Sequence, residues 1–217
     1  MAKTILDVSR WQGDIDWGKV KASGLVSGVM LKTVSTNRKL SKRKDGLYID
    51  QTFEHNYAEC KRLGIPVGVY YYTYAVSHTS ADAELALLKT ALTGKTFELP
   101  ICVDVEDNKL RKLGKQALTD LTAYQLKTVE GWGLYAMLYT YTSFAKSRLY
   151  MSGAALKPFD VWLADYTGKT PAVDFAYGMH QYTSKGTVPG IKGGVDLSRA
   201  YKDYPAIIQR AGLAEIK

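Results

Sequence analysis

The chain has 217 residues, of which 46% are hydrophobic, and this size and composition are typical of one globular domain rather than a collagen-like, coiled-coil or disordered protein. Lysine and arginine outnumber aspartate and glutamate by 29 to 21, so the net charge is +8 and an anionic partner or surface is expected. The 16 tyrosines and 4 tryptophans can fill a core, and they can also stack on sugars or nucleobases.

Short apolar runs recur along the whole chain. Most are rich in valine, isoleucine and tyrosine and apolar on both faces, a pattern typical of strands that are covered on both sides. Eight such strands are predicted, at 4–8, 26–33, 66–73, 99–105, 134–140, 160–166, 177–183 and 194–197.

Helical patterns lie between several of these runs. Apolar stripes at helical spacing cover 50–64, 80–93 and 115–130, and each ends at or next to a glycine. The alternation of strand and helix up to about residue 150, followed by closely spaced strands, indicates a single α/β domain with a β/α barrel whose last third is irregular. We assign residues 1–205 to this barrel and read 206–217 as a terminal helix or the start of a truncated linker.

Several classes of protein are disfavoured by what the sequence contains. No window approaches ~18 consecutive apolar residues, so no membrane span is expected. The opening MAKTILDVSRWQG has too short an apolar region for a signal peptide, which predicts synthesis in the cytoplasm without a Sec address. Cys60, Cys102 and the three histidines lack metal-ligand spacing, so we expect no metal and no cofactor.

Carboxylates follow the predicted strands in a regular way. Asp7 ends the first run, Asp104 and Glu106 end the fourth, Asp165 ends the sixth, and Asp196 lies in the eighth. In a β/α barrel the chemistry lies at the carboxyl ends of the strands. Because a buried carboxylate without a partner is costly, these acids are expected to be paired, ligating or catalytic.

The segment ICVDVED carries the most specific pair. Residues two apart on a strand face the same way, about 6–7 Å apart, so Asp104 and Glu106 are expected to reach one substrate. Two carboxyls at this separation suit glycoside cleavage, and crowding with Asp7 and Asp196 would raise the pKa of at least one of them. Alone, the D-x-E pattern also fits a solvated strand end or a divalent-cation site.

Aromatic residues follow the same positions. Tyr70 and Tyr72 end the third run, Tyr139 ends the fifth, Trp162 lies in the sixth and Tyr182 ends the seventh. Each ring singly is ordinary core filling. Together, rings beside acids at a barrel mouth indicate a sugar-binding groove.

The segments LDVSRWQGDIDW, PVGVYYYTYA, VDVED, VWLADY and HQYTSKGTVPGIKGGVDLSRAY together resemble the glycoside hydrolase family 25 lysozymes, the Chalaropsis-type N-acetylmuramidases of phages and bacteria. The resemblance spans residues 4–201. It implies a single irregular TIM-like barrel of five β/α units followed by three strands. It also implies hydrolysis of the β-1,4 bond between N-acetylmuramic acid and N-acetylglucosamine in peptidoglycan, usually with retention.

The resemblance also implies roles for individual residues. Glu106 matches the proton donor, Asp104 the second acid of the pair, and Asp7 and Asp196 the acids that close the site. Asp104 either orients the acetamido group of the substrate, which then forms the intermediate, or attacks directly, and the sequence leaves both open. The substrate-binding set is predicted to be Lys32, Tyr70, Tyr72, Tyr139, Trp162, Asp165, Gln181 and Tyr182.

Two departures from the family pattern concern substrate contacts. The stretch after the second strand keeps Lys32 but lacks the expected glutamate and is extended, and the usual W-Q-Y reads His180-Gln181-Tyr182. The extension carries five basic residues in seven, Arg38, Lys39, Lys42, Arg43 and Lys44. It is either a solvated loop or a site that attracts anionic wall polymers.

The expected partner is bacterial peptidoglycan, with action on the wall after release by a phage holin or another export route. We expect a monomer that binds neither membranes nor nucleic acid, because no nucleic-acid module is present. A catalytically inactive cell-wall carbohydrate-binding barrel is the alternative function. A chitinase-type barrel is disfavoured because the longer D-x-x-D-x-D-x-E run is missing.

Overall fold

A computed structural model describes residues 2–217 of the chain. Its centre is a closed barrel of eight strands with two additional short strands beside it. The barrel strands are β1 (Lys3–Val8), β2 (Gly28–Lys32), β5 (Val67–Tyr72), β6 (Ile101–Asp104), β7 (Ala136–Tyr141), β8 (Asp160–Ala164), β9 (Met179–Gly186) and β10 (Val195–Ala200). The additional strands β3 (Val34–Thr36) and β4 (Leu47–Ile49) form an antiparallel hairpin.

One strand runs against all the others. Around the barrel the order is β1, β10, β9, β8, β7, β6, β5, β2, and neighbouring strands are parallel except at β10, which is antiparallel to both β1 and β9. The first residues of β10 therefore lie at the same end as the last residues of the other seven strands. This end is called the mouth below.

Six α-helices accompany the barrel in the described residues. They are α1 (Trp17–Ala22), α2 (Phe53–Arg62), α3 (His78–Leu92), α4 (Lys115–Gly131), α5 (Thr142–Arg148) and α6 (Tyr204–Ala211), and short 3-10 turns follow β1 and β6 at Arg10–Gln12 and Asn108–Lys112. Side chains cap several of the helices: Asp16 accepts from the Lys19 amide at α1, and Ser77 and Ser80 form a capping box at α3.

The core has two layers separated by the sheet. Alternate strand residues point outward, where Val29, Val69, Val103 and Leu138 join the large cluster that also contains the helix residues. The other set, which includes Ile5, Met30, Cys102, Met137 and Trp162, fills the barrel interior. The interior is tight at Gly68, since a Cβ there would lie 2.6 Å from the Pro100 carbonyl oxygen.

The predicted fold class is confirmed: five β/α units, ending with α5, are followed by the three strands β8, β9 and β10. The hairpin β3–β4 and the helices α1 and α5 were not predicted as separate elements. In the tail, α6 begins at Tyr204 rather than at residue 206, and its Tyr204 and Ile208 pack against the interior cluster. None of the helices within residues 2–217 has the length and apolar character that crossing a bilayer requires.

Candidate active site

A cavity of about 340 Å³ opens at the mouth of the barrel. It gathers the four acids predicted to be catalytic with one lysine and several aromatic rings. The residues that line it are Asp7, Lys32, Tyr70, Tyr72, Asp104, Glu106, Tyr139, Trp162, Tyr166, Gln181, Ser184 and Asp196. Ten of the twelve residues predicted for the site are thereby brought together.

Strand alternation explains why these residues face one cavity. The residues Ile5, Met30 and Cys102 point into the barrel interior. Two positions later on the same three strands come Asp7, Lys32 and Asp104, whose side chains therefore also point inward, but closer to the mouth. Asp196 reaches the same level because the reversed strand β10 begins there, directly opposite Asp7 in the pairing of β1 with β10.

Gln181 is the centre of a buried hydrogen-bond network. Its Nε2 donates to Oδ2 of Asp7 at 3.0 Å, and its Oε1 accepts from the hydroxyls of Tyr139 at 2.9 Å and Tyr166 at 2.5 Å. The side chain of Gln181 is thus held in one orientation. Burial raises the pKa of Asp7 to about 8, and the nearby charge of Asp196 adds to this effect.

Asp104 and Glu106 form a proton-retaining pair beside Lys32. Asp104 is only 3% exposed, and burial together with the charge of Glu106 raises its pKa well above the usual range. Burial also raises the pKa of Glu106 to about 7, against the opposing effect of the Lys32 ammonium group. Oδ1 of Asp104 has no hydrogen-bond partner among the described residues. At neutral pH the pair therefore holds a proton and leaves one acceptor free for a ligand.

The aromatic residues form one wall of the cavity. Trp162 lies edge-on to Tyr139 and Tyr70, with ring centroids 4.6 and 6.2 Å apart, and its Nε1 donates to the Ser198 hydroxyl at 2.9 Å. The Lys32 ammonium group lies 5.0 Å from the centroid of the Tyr72 ring. These rings provide apolar faces beside the acids.

Two predicted residues lie outside the cavity. Asp165 continues the outward-facing set of β8 after Val161 and Leu163, and its carboxylate accepts from the hydroxyls of Thr142 and Thr167. Tyr182 follows the inward-facing Gln181 by one position, so it lies on the outer face of β9. The prediction that these two side chains line the mouth does not hold, because side chains alternate between the two faces of a strand and both of these point outward.

The cavity also contains two residues that were not predicted. Trp162 and Ala164 face the barrel interior, and Tyr166 is the next residue in this every-second-position series. The alternation of side chains along the strand therefore predicts that Tyr166 faces inward. Ser184 faces inward because the register between β9 and β10 shifts on both sides of Leu197. Such bulges interrupt the alternation, and the sequence contains no clear signal for them.

Despite this concentration of acids, no group of three or more histidine, cysteine or acidic residues in 2–217 has an arrangement that could hold a metal ion. The chemistry available to the cavity is that of acids, a lysine and hydroxyl groups. Paired carboxyls, one of them protonated at neutral pH, can perform general acid and base catalysis on a glycosidic bond.

Known proteins are similar to this chain in sequence and in fold. The autolytic lysozyme of Clostridium acetobutylicum is 30% identical over 196 residues, which are 88% of this chain and 54% of that protein. Lysozyme M1 of Streptomyces globisporus is 26% identical over 208 residues, covering 89% of this chain and 66% of its own length. This chain therefore spans about half the length of the first relative and two thirds of the second.

Solved structures give the same result for the fold. The bacterial lysozyme from Streptomyces coelicolor superposes with a TM-score of 0.77 at 24% identity, over 93% of each chain. The modular autolysin LytC from Streptococcus pneumoniae superposes with a TM-score of 0.74 at 29% identity, over 92% of this chain and 47% of LytC.

A family profile matches most of the barrel. The sequence profile of the glycosyl hydrolases family 25 matches residues 6–191, a range that includes Asp7, Asp104, Glu106 and Gln181. This protein belongs to the glycosyl hydrolases family 25.

Proposed function

We propose that the protein is a lysozyme, an N-acetylmuramidase that hydrolyses the β-1,4 bond between N-acetylmuramic acid and N-acetylglucosamine in peptidoglycan with retention. The observation that carries this proposal is the convergence of four carboxyls on one aromatic-walled cavity, where burial raises the pKa values of Asp104 and Glu106. The lysozymes among its relatives support the substrate class, and LytC was solved in complex with a synthetic peptidoglycan ligand.

Glu106 is the proton donor in this proposal. It is less buried than Asp104, and its pKa of about 7 keeps a large protonated fraction at neutral pH. The Glu106 carboxyl gives its proton to the glycosidic oxygen as the bond from that oxygen to C1 breaks. The resulting carboxylate then takes a proton from the water that attacks C1 in the second step.

Asp104 orients the substrate's acetamido group in this proposal. Its unpartnered Oδ1 is placed to accept the amide N–H, and this hydrogen bond favours attack of the acetamido carbonyl oxygen on C1. Lys32 stabilises the anionic form of Asp104, whose burial otherwise favours the protonated form. A carboxyl oxygen of Asp104 can accept this hydrogen bond in either protonation state, whereas direct attack on C1 requires the carboxylate, which burial disfavours, so we prefer acetamido participation.

Asp7 and Asp196 line the cavity on β1 and β10, across from Asp104 on β6. The burial of both carboxyls raises their pKa values, and Gln181 fixes the orientation of Asp7. We assign them to hydrogen bonds with sugar hydroxyls next to the cleaved bond.

Release of reducing ends from purified peptidoglycan tests the proposal. The substitution Glu106→Gln keeps the size and the hydrogen-bonding shape of the side chain but removes the proton donor, so we expect a loss of at least about 10²-fold in rate. Asp165→Asn, at a carboxylate outside the cavity, is the matched control and should retain most of the wild-type rate. Near wild-type release by the Glu106→Gln variant would overturn the proposed acid.

A further inference from the structure

A second cavity lies on the outer side of the barrel, away from the four acids. The helices α2, α4 and α5 pack against β2, β5, β6 and β7, on the other side of the barrel. On the side formed by β9 and β10, the loop after β8 lies beside the outer face of these strands. Together they line a cavity of about 210 Å³, here called the outer pocket. The outer pocket is lined by Gly168, Lys169, Thr170, His180, Tyr182, Arg199 and Tyr201.

The charge of the outer pocket is opposite to that of the mouth. Its lining contains two cations, Lys169 and Arg199, and no acid, whereas the mouth cavity contains four acids and one lysine. Within the described residues neither of these cations forms an ion pair, although seven other cations do. Two unpaired cations from separate segments therefore face one small cavity.

Aromatic rings support one of these cations, Arg199. The Arg199 guanidinium lies 4.3 Å from the centroid of the Tyr182 ring, and the rings of His180 and Tyr182 are edge-to-face with centroids 6.4 Å apart. His180 is itself only 4% exposed, and its Nε2 lies 2.9 Å from the Asp165 carbonyl oxygen. Stacking on a ring held in this way restricts Arg199 and leaves its N–H groups available to a ligand.

We propose that the outer pocket binds a phosphodiester group of an anionic polyol or sugar polymer. A phosphodiester presents oxygens to several donors at once, so Arg199 and Lys169 can both contact one group. The exposed face of Tyr201 then lies beside the neighbouring polyol or sugar unit. The oxygens of a phosphodiester diverge tetrahedrally, so Arg199 and Lys169 can approach it from different directions, whereas the two oxygens of a carboxylate lie in one plane that suits a single arginine fork, and this is why we choose phosphate.

This site is independent of the cleavage reaction. Its ligand would accompany peptidoglycan rather than be cleaved, and binding here would hold the enzyme on its substrate layer. The loop that carries Lys169 also carries Tyr166, whose hydroxyl enters the mouth cavity, so one short segment connects the two sites.

Titration calorimetry with purified poly(glycerol phosphate) tests the proposal on the intact chain. The double variant Lys169→Gln/Arg199→Gln should bind the polymer at least about tenfold more weakly than the wild type. Lys127→Gln/Arg210→Gln is the matched control, because it removes the same two charge types from exposed positions on α4 and α6 and should stay within about twofold. Equal thermal unfolding midpoints would show that both double variants are folded.

Three results would overturn the proposal. These are absence of saturable binding, an equal loss in the two double variants, and binding of polygalacturonate, a carboxylate polymer, as tight as that of poly(glycerol phosphate). Because the titration requires no hydrolysis, its outcome is separate from that of the lysozyme proposal.

Discussion

Gln181 organises the candidate site although it carries no charge. It is 1% exposed and makes three hydrogen bonds, one to Asp7 and two from tyrosine hydroxyls. Replacing it with an apolar side chain of similar length leaves Asp7 without its donor and the hydroxyls of Tyr139 and Tyr166 without their acceptor. The cost of an unsatisfied buried group is about 1–3 kcal/mol.

We therefore expect Gln181→Met to lower the free energy of unfolding by about 3 kcal/mol, measured by urea denaturation. Tyr166→Phe is the control, because it removes one hydroxyl from a half-exposed ring and should cost less than about 1 kcal/mol. A Gln181→Met variant as stable as the wild type would show that the network does not stabilise the fold.

Asp7 makes stability depend on pH. Its pKa is about 8 in the folded protein against 3.8 for an ordinary aspartate, so between these values the folded chain holds a proton that the unfolded chain releases. The free energy of unfolding attributable to Asp7 is therefore fully present below about pH 4 and is lost as the pH rises towards 8.

The substitution Asp7→Asn removes this titration. Between pH 5 and pH 8 we expect the wild type to lose at least about 1 kcal/mol more stability than the variant, by urea denaturation at both values. Parallel losses in the two proteins would contradict the raised pKa of Asp7.

At the scale of elements, the direction of β10 completes the site. A parallel eighth strand would place Asp196 at the opposite end of the barrel from Asp7, whereas the antiparallel strand makes the two residues register partners. The same reversal follows from the short connection between β9 and β10, which leaves no room for a crossover helix.

The hairpin β3–β4 carries the basic loop predicted from the sequence. It begins at Val34, two residues after Lys32 at the carboxyl end of β2, and thus lies at the mouth. Arg43 pairs with Asp45, while Lys39, Lys42 and Lys44 are exposed and form no ion pair within the described chain. We propose that these lysines attract anionic wall polymers to the mouth.

Changing Lys39, Lys42 and Lys44 together to glutamine should weaken sedimentation with purified walls at low ionic strength and have little effect at high salt. The control changes three exposed lysines elsewhere, Lys127, Lys157 and Lys192, and has the same net charge. If both triple variants sediment alike, the loop is only a solvated surface.

At the scale of the whole molecule, the fold was predictable because its signals are local and repeated. Each parallel strand is a short apolar run, and Gly64, Gly94 and Gly131 mark the ends of the three longest predicted helices. The acids were predictable because polar residues inside apolar runs are rare. The inward orientation of Ser184 could not be predicted, because it depends on a register shift between β9 and β10. The outer pocket could not be predicted either, because it joins a loop to strand residues distant in sequence.

Mass spectrometry of the muropeptides released from purified peptidoglycan tests the central proposal most directly. If Glu106 and Asp104 cleave the bond on the reducing side of N-acetylmuramic acid, every new reducing end will carry muramic acid, and the Glu106→Gln variant will release none above background. New reducing ends carrying glucosamine would instead identify a glucosaminidase and contradict the assignment.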